Sequence, residues 1–177
     1  MFGLKQAQPK ESAIFALAPE ILFLENGDRL TRKEFERRYQ AMPRLKKAEL
    51  IEGVVFMPSP PHFEQHAEPH ARIMSWLGIY WAATPSVRLA DNATLRLDAD
   101  NEFQPDALLR LPERAGGVSR VSRDDYLEGA PELIVEVAST GASHDLHDKR
   151  KVYRQRDAGI SGMAGAGKAA ALAGFGG

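Results

Sequence analysis

Cysteine is absent from the 177 residues of this chain. Without cysteine there can be no disulfide framework, no thiolate metal site of the zinc-finger type and no cysteine nucleophile. The absence also fits a reducing compartment, because disulfides are typical of secreted domains. We therefore expect a cytoplasmic protein.

An excess of charge of either sign is also absent, because 23 Lys and Arg residues are balanced by 24 Asp and Glu residues. No overall field therefore attracts the molecule to nucleic acid or to a membrane, and any anion-binding site must be local. Long apolar runs are missing too. The most apolar N-terminal stretch, 14–24, is interrupted by Pro19 and Glu20 and lacks the pattern of a signal peptide. We predict no membrane partner.

The remaining composition is that of a folded globular protein, with 44% hydrophobic and 27% charged residues. A chain of this length most often forms one domain. Residues 1–30 show no sustained periodicity and predict an irregular arm, whereas 31–159 form the predicted domain. Residues 160–177 are rich in Gly and Ala and have little to bury, so they predict a flexible tail.

Hydrophobic periodicity and turn residues predict both helices and strands within residues 31–159. Thr31 and Glu34 have the spacing of a capping box, which marks the start of the first helix. Residues 131–138 are nearly all apolar, as in a central strand covered on both faces. The other predicted segments are a hairpin at 49–56, helices at 66–83 and 143–157, and strands near 87–90, 93–97 and 104–111. This order indicates an α+β fold with helices against a mixed sheet.

Two carboxylates stand out in the predicted strands. Glu136 lies in the most apolar strand, and a buried carboxylate is costly unless it is paired or bound to a metal. Asp106 follows Pro105 in another strand, and carboxylates on adjacent strands can bind a hard cation such as Mg²⁺. The alternative is a turn aspartate together with a structural ion pair from Glu136 to Lys149 or Arg150. The pattern alone leaves both interpretations open.

Three ordered motifs give a more specific signal: 104–107 (QPDA), 129–139 (GAPELIVEVAS) and 145–149 (DLHDK) with Tyr153. They resemble the motifs of the bacterial Uma-type restriction endonucleases, a family in the PD-(D/E)xK nuclease superfamily. The resemblance extends over 49–53, 57–60, the helix that begins near His66, and 91–94, and so spans roughly residues 30–159. It implies a restriction-endonuclease-like fold, with a mixed β-sheet core flanked by helices.

The resemblance also implies a catalytic site. In the superfamily the Asp and Glu, here Asp106 and Glu136, bind Mg²⁺ for the hydrolysis of phosphodiester bonds in DNA. A Lys, usually two residues beyond the Glu, holds the attacking water or the phosphate. Ala138 occupies that position here, so the resemblance assigns the role to Lys149 on the following helix. DNA is the implied partner, and the family relation allows a homodimer.

Glu52 and His66 are candidate auxiliary residues of this site. Acidic residues of the early hairpin often complete such sites, and His66 matches the family's helix-start histidine. An exposed turn glutamate and a capping or surface histidine are the competing interpretations. Lys149 has a structural alternative as well, an i, i+4 surface pair with Asp145.

The C-terminal region departs from the family pattern. After the last helix the family continues with Gly-Val and an aromatic-rich strand, whereas this chain has Gly159 and Ile160 followed by Gly and Ala, so the closing strand is altered or lost. Three hypotheses follow. The chain is a Mg²⁺-dependent DNA endonuclease, an inactive nuclease-like remnant that binds nucleic acid or a protein partner through the basic stretches at 29–47 and 149–156, or a hydrolase of other substrates whose metal is held with His62, His66 and His70.

Overall fold

The computed structural model describes residues 22–138, 143–155, 161–165 and 168–170. Its helices are α1 (Arg32–Gln40), α2 (Glu68–Ala83) and α3 (Ser143–Gln155). A π-helical turn, Phe63–Ala67, leads directly into α2, and a 3₁₀ turn spans Glu113–Ala115. Within these ranges, no helix is both long and apolar enough to cross a membrane.

The described residues form two mixed sheets. In spatial order, the first contains β2 (Val54–Phe56), β1 (Glu49–Ile51), β5 (Glu102–Phe103), β4 (Leu95–Arg96), β8 (Leu127–Glu128) and β7 (Arg120–Val121). The second contains β11 (Lys168–Ala170), β10 (Ser161–Gly165), β9 (Leu133–Ala138), β6 (Ala107–Arg110) and β3 (Arg88–Asp91). The pairs β4–β8 and β9–β10 are parallel and the others antiparallel. These sheets and helices confirm the predicted α+β class.

Local sequence features mark the start of the first two helices. Thr31 caps α1, because its hydroxyl accepts a hydrogen bond from the backbone N–H of Glu34 at 3.4 Å. Phe35 in the same helix is fully buried and anchors it to the core. Pro69 lies in the first turn of α2, the part of a helix in which proline is most readily accommodated. The helix predicted from residue 66 therefore exists, with its first residues in the π-helical turn.

Both faces of the second sheet are covered. Side chains alternate along its central strands, so each of these strands contributes residues to both faces. Leu108 and Ile134 pack on one face with Tyr153 of α3 and with residues of the first sheet. Val135 packs on the other face with Leu77 of α2. This double coverage explains why β9 is nearly continuously apolar.

The register of β6 and β9 determines which carboxylates meet. Ala107 lies opposite Val135 in this antiparallel pair. Continuing the same register by one residue places Asp106 opposite Glu136. Opposite residues project from the same face of an antiparallel pair. Alternation puts Glu136 on the face of Ile134, which is the face that packs against α3.

The C-terminal strands differ from the flexible tail predicted for 160–177. β10 pairs in parallel with β9, from Ser161 opposite Ile134 to Gly165 opposite Ala138, and β11 pairs with β10. Strand pairing uses backbone groups that every residue except proline carries in full. A segment rich in Gly and Ala can therefore cover a sheet edge although its composition shows no strand pattern. Outside the described residues lie the rest of this segment and residues 1–21 of the predicted arm.

Candidate active site

Asp106 and Glu136 lie side by side on the face of the second sheet that α3 covers. Both residues are buried, with 3% and 5% of their surface exposed. Asp106 immediately precedes β6, and Glu136 lies within β9. The structure therefore brings together the two carboxylates that the sequence singled out.

The Glu136 carboxylate is held on one side by α3. Its Oε1 accepts hydrogen bonds from the Tyr153 hydroxyl at 2.9 Å and from Lys149 Nζ at 3.2 Å. Lys149 and Tyr153 are four residues apart and so lie on one face of the helix. Because Lys149 is buried, the alternative of an exposed surface pair with Asp145 does not describe it.

The Asp106 carboxylate is held by the backbone of β9. Its Oδ2 accepts a hydrogen bond from the N–H of Val137 at 2.6 Å. The other oxygen, Oδ1, has two more distant nitrogen neighbours: His66 Nε2 at 3.5 Å and Lys47 Nζ at 3.8 Å. Each carboxylate thus has one oxygen fixed by a protein donor.

Glu49 is a third buried carboxylate at this site, and the sequence interpretation did not select it. Its Oε1 accepts a hydrogen bond from the N–H of Gln104 at 2.9 Å, and its Oε2 lies 2.6 Å from Lys149 Nζ. Lys149 therefore bridges Glu49 in the first sheet and Glu136 in the second. A signal was present in the sequence, because Glu49 stands next to Leu50 in a predicted strand, where a carboxylate needs a partner.

Glu52 is not brought to this site. It lies in the turn between β1 and β2, with a positive φ of 48°, and its exposed carboxylate contacts Lys151 at 3.2 Å. The turn forms here because Gly53 follows, also with positive φ. The competing interpretation of Glu52 as an exposed turn residue describes its position.

His66 lies at the edge of the carboxylate pair. Its Nδ1 is 3.1 Å from the carbonyl oxygen of Val137. A carbonyl oxygen only accepts hydrogen bonds, so Nδ1 carries the proton and Nε2 is the atom that faces Asp106.

The other two histidines take different positions. His70 Nε2 contacts the backbone oxygen of Asp106 at 2.9 Å and Asp91 Oδ1 at 3.2 Å, and its ring stacks on His66 at 5.9 Å between centroids. His62 precedes the π-helical turn and is exposed. Of the three histidines in the third hypothesis, His66 is the one whose ring contacts a site carboxylate.

A family model described as "Uma2: Putative restriction endonuclease" matches residues 32–160, well over half of the chain. This chain belongs to the Uma2 family. The match confirms the resemblance carried by the sequence motifs, and it covers every residue of the site described above.

One solved structure shows that the fold is shared. It is the crystal structure of a putative nuclease belonging to DUF820 from Anabaena variabilis ATCC 29413, with 15% sequence identity and a TM-score of 0.53. The similarity covers 72% of this chain and 71% of that chain. No curated protein matches the chain. The similarity establishes the α+β fold of this Uma2 protein.

The buried charges of the site influence one another. Burial raises the pKa of Glu136, and Glu49 and Asp106 raise it further against the opposing effect of Lys149. Burial alone would lower the pKa of Lys149, but the neighbouring Glu136 and Glu49 outweigh it and raise the pKa above its usual range. Lys149 therefore carries a positive charge at neutral pH. Burial likewise raises the pKa of Tyr153, which keeps its hydroxyl a hydrogen-bond donor to Glu136.

The donor set fits a magnesium ion. No group of three or more His, Cys, Asp and Glu side chains in the described part of the chain is arranged to hold a metal by itself. Mg²⁺, however, usually takes only one or two carboxylates from a protein and completes its shell with water and substrate phosphates. Among the described residues, no hydrogen bond reaches Asp106 Oδ1 or Glu136 Oε2. Carboxylate oxygens such as these two are of the kind that Mg²⁺ accepts as ligands.

The basic stretches are only partly free to meet nucleic acid. Arg37 and Arg38 of α1 both bind Glu34 of the same helix. In α3, Lys149 is committed to the buried carboxylates and Lys151 contacts Glu52. These helices therefore present less positive surface than the number of Lys and Arg residues in the basic stretches suggests.

Proposed function

We propose that this Uma2 protein is a Mg²⁺-dependent endonuclease that hydrolyses phosphodiester bonds in DNA. Asp106 and Glu136 are the proposed metal ligands, and Lys149 is the proposed catalytic lysine. The family description supports a nuclease. The observation that carries the proposal is the pairing of two buried carboxylates, each with one oxygen anchored by the protein and one available.

The protein's own groups would keep this arrangement in place while substrate binds. The Val137 N–H orients Asp106, and the Tyr153 hydroxyl orients Glu136. Mg²⁺ bound at these carboxylates would supply charge neutralisation at the scissile phosphate and increase the acidity of water. The cation would also balance the excess of carboxylates over lysines in the buried cluster.

Lys149 acts in this proposal as a hydrogen-bond donor. Burial would lower its pKa, but Glu136 and Glu49 raise it, which favours the ammonium form that can hold a water molecule or a phosphate oxygen. Glu49 is the positioning residue for Lys149, since its Oε2 lies 2.6 Å from the Nζ that also contacts Glu136. His66 is the proposed auxiliary residue, because its Nε2 faces the same carboxylate as the metal.

The direct test is cleavage of supercoiled plasmid DNA by the purified chain. We expect nicking in Mg²⁺, no nicking in EDTA, and recovery when Mg²⁺ is returned in excess. Parallel reactions with RNA of the same sequence test the preference for DNA. Nicking that persists in EDTA would contradict a metal-dependent site and would indicate a contaminating or different activity.

A further inference from the structure

Lys47 is a second lysine at the edge of the site, and the sequence distinguishes it only as the last residue of the basic stretch 29–47. Its Nζ lies 3.8 Å from Asp106 Oδ1 and 4.0 Å from Glu49 Oε1. The Lys47 side chain is 24% exposed, whereas those of Asp106 and Glu49 are 5% and 1% exposed. The ammonium of Lys47 therefore reaches the buried carboxylates from the solvent side.

The two lysines are held differently. Lys149 has short contacts of 2.6 Å and 3.2 Å to two carboxylates and is buried. Lys47 stands beyond hydrogen-bond distance from both of its partners, at the limit of an ion pair. Lys47 can therefore move away from Asp106 and Glu49 at a small cost in free energy, because its contacts with them are weak.

The same Asp106 oxygen is the proposed metal donor. A divalent cation at Asp106 Oδ1 would repel an ammonium that stands 3.8 Å from that atom. A lysine displaced from Asp106 needs another anion as its partner. The phosphates of the bound DNA strand are the abundant anions next to such a site. Lysine binds phosphate as a mobile point charge and does not need a fixed geometry.

We propose that Lys47 binds a backbone phosphate of the substrate, and that in the absence of substrate its ammonium competes with the metal for Asp106. This inference rests on the proposed function, since it takes a phosphodiester as the substrate and Asp106 as a metal ligand. According to this proposal, the charge of Lys47 weakens Mg²⁺ binding and strengthens DNA binding. Removing its charge strengthens metal binding and weakens DNA binding, whereas removing a merely structural ion pair would not produce that combination.

The test measures both affinities in the full chain without relying on cleavage. For Lys47→Ala, we expect Mg²⁺ affinity by calorimetry to rise roughly 3- to 10-fold, the effect of losing one partly screened competing charge. Duplex DNA affinity, measured by fluorescence anisotropy with Ca²⁺ replacing Mg²⁺, should fall. The slope of log affinity against log salt should become less steep by about 1, as expected for one lost phosphate contact.

Lys46 supplies the matched control, because it is the adjacent lysine and is exposed. Lys46→Ala should leave Mg²⁺ affinity unchanged. Lys47→Arg should restore the salt slope of the parent chain. If Lys47→Ala fails to fold, Lys47→Met replaces it, because methionine keeps an aliphatic side chain without the charge. Unchanged or weaker Mg²⁺ affinity, or an unchanged salt slope, in folded Lys47→Ala or Lys47→Met would overturn the proposal.

Failure of the proposed function gives a different result. A parent chain that binds Mg²⁺ and DNA but nicks no plasmid would refute the endonuclease activity, and the two binding measurements would still decide the role of Lys47. A parent chain that binds no Mg²⁺ would overturn the proposal for Lys47 together with the metal site.

Discussion

Two lysines on α3 show how burial separates a site residue from a surface residue. Lys149 and Lys151 are two positions apart, yet the Lys149 side chain is 8% exposed and that of Lys151 is 55% exposed. Both form ion pairs with glutamate. The pair at Lys149 lies among buried carboxylates, where an unpaired charge is costly, while the pair at Lys151 is exposed and contributes little.

Lys149→Ala should lower the turnover of DNA cleavage by about 100-fold or more without weakening Mg²⁺ affinity, because the metal ligands remain. It should also lower the free energy of unfolding by about 3 kcal/mol, because Glu136 and Glu49 lose their shared cation. Lys151→Ala is the control and should change neither quantity. Single-turnover cleavage and urea unfolding provide the measurements. A loss confined to metal binding would mean that Lys149 has a different role.

The members of the site could be predicted unequally well from the sequence. Glu136 could be found because a carboxylate in a strongly apolar strand is conspicuous, whereas Asp106 becomes a specific signal only within the ordered set of family motifs. For Lys149 the residues alone indicate an ion pair with Glu136, which the structure contains, and the catalytic role comes only from the family resemblance. Glu49 and Glu52 are separated by which of them enters the turn at Gly53, and the sequence indicates this only weakly. Lys47 is marked in the sequence as part of the basic stretch 29–47, but its place beside the site depends on how the two sheets meet.

Longer elements could be predicted and the shortest could not. The capping residues of α1, the apolar periodicity of α2 and the apolar run of β9 each extend over enough residues to show a pattern. β5, β7 and β8 have two residues each, which is too short for alternation to be visible. β10 shows no strand pattern in the sequence for another reason. Gly and Ala carry no hydrophobic alternation even where their backbone pairs with a neighbouring strand.

The β9–β10 pairing supports the strand that carries Glu136. Met163 lies opposite Glu136 in this parallel register. Deleting residues 161–177 exposes one edge of β9 and should lower the free energy of unfolding by about 2 to 4 kcal/mol, from several lost backbone hydrogen bonds. Hydrogen exchange of the β9 amides should also become faster. Unchanged stability and unchanged exchange would favour the flexible tail that the composition predicts.

For the whole molecule, stability should depend on pH through Glu102, a buried carboxylate in β5 of the first sheet. Burial, together with a shared hydrogen bond to Glu36, raises the pKa of Glu102 to about 8, although Arg96 opposes the shift. Between pH of about 4.5 and 8 the folded state therefore binds more protons than the unfolded state. Stability should fall as pH rises through this range, because deprotonation favours the unfolded chain.

Glu102→Gln should remove this fall and raise the free energy of unfolding at pH 8 by about 1 to 3 kcal/mol. Urea unfolding at a series of pH values measures it, with Glu128→Gln as the control at a more accessible carboxylate. The same slope in Glu102→Gln and in the parent chain would show that other groups cause the pH dependence.

The central claim is that Asp106 and Glu136 form a metal-dependent phosphodiesterase site. The most direct measurement compares Mg²⁺-dependent plasmid nicking by the parent chain with Asp106→Ala, Glu136→Ala and the exposed-carboxylate control Glu52→Ala, all at equal purity. We predict that nicking is lost in the first two variants while DNA binding is retained, and that Glu52→Ala nicks like the parent. Equal nicking by the parent and by either site variant would contradict the claim.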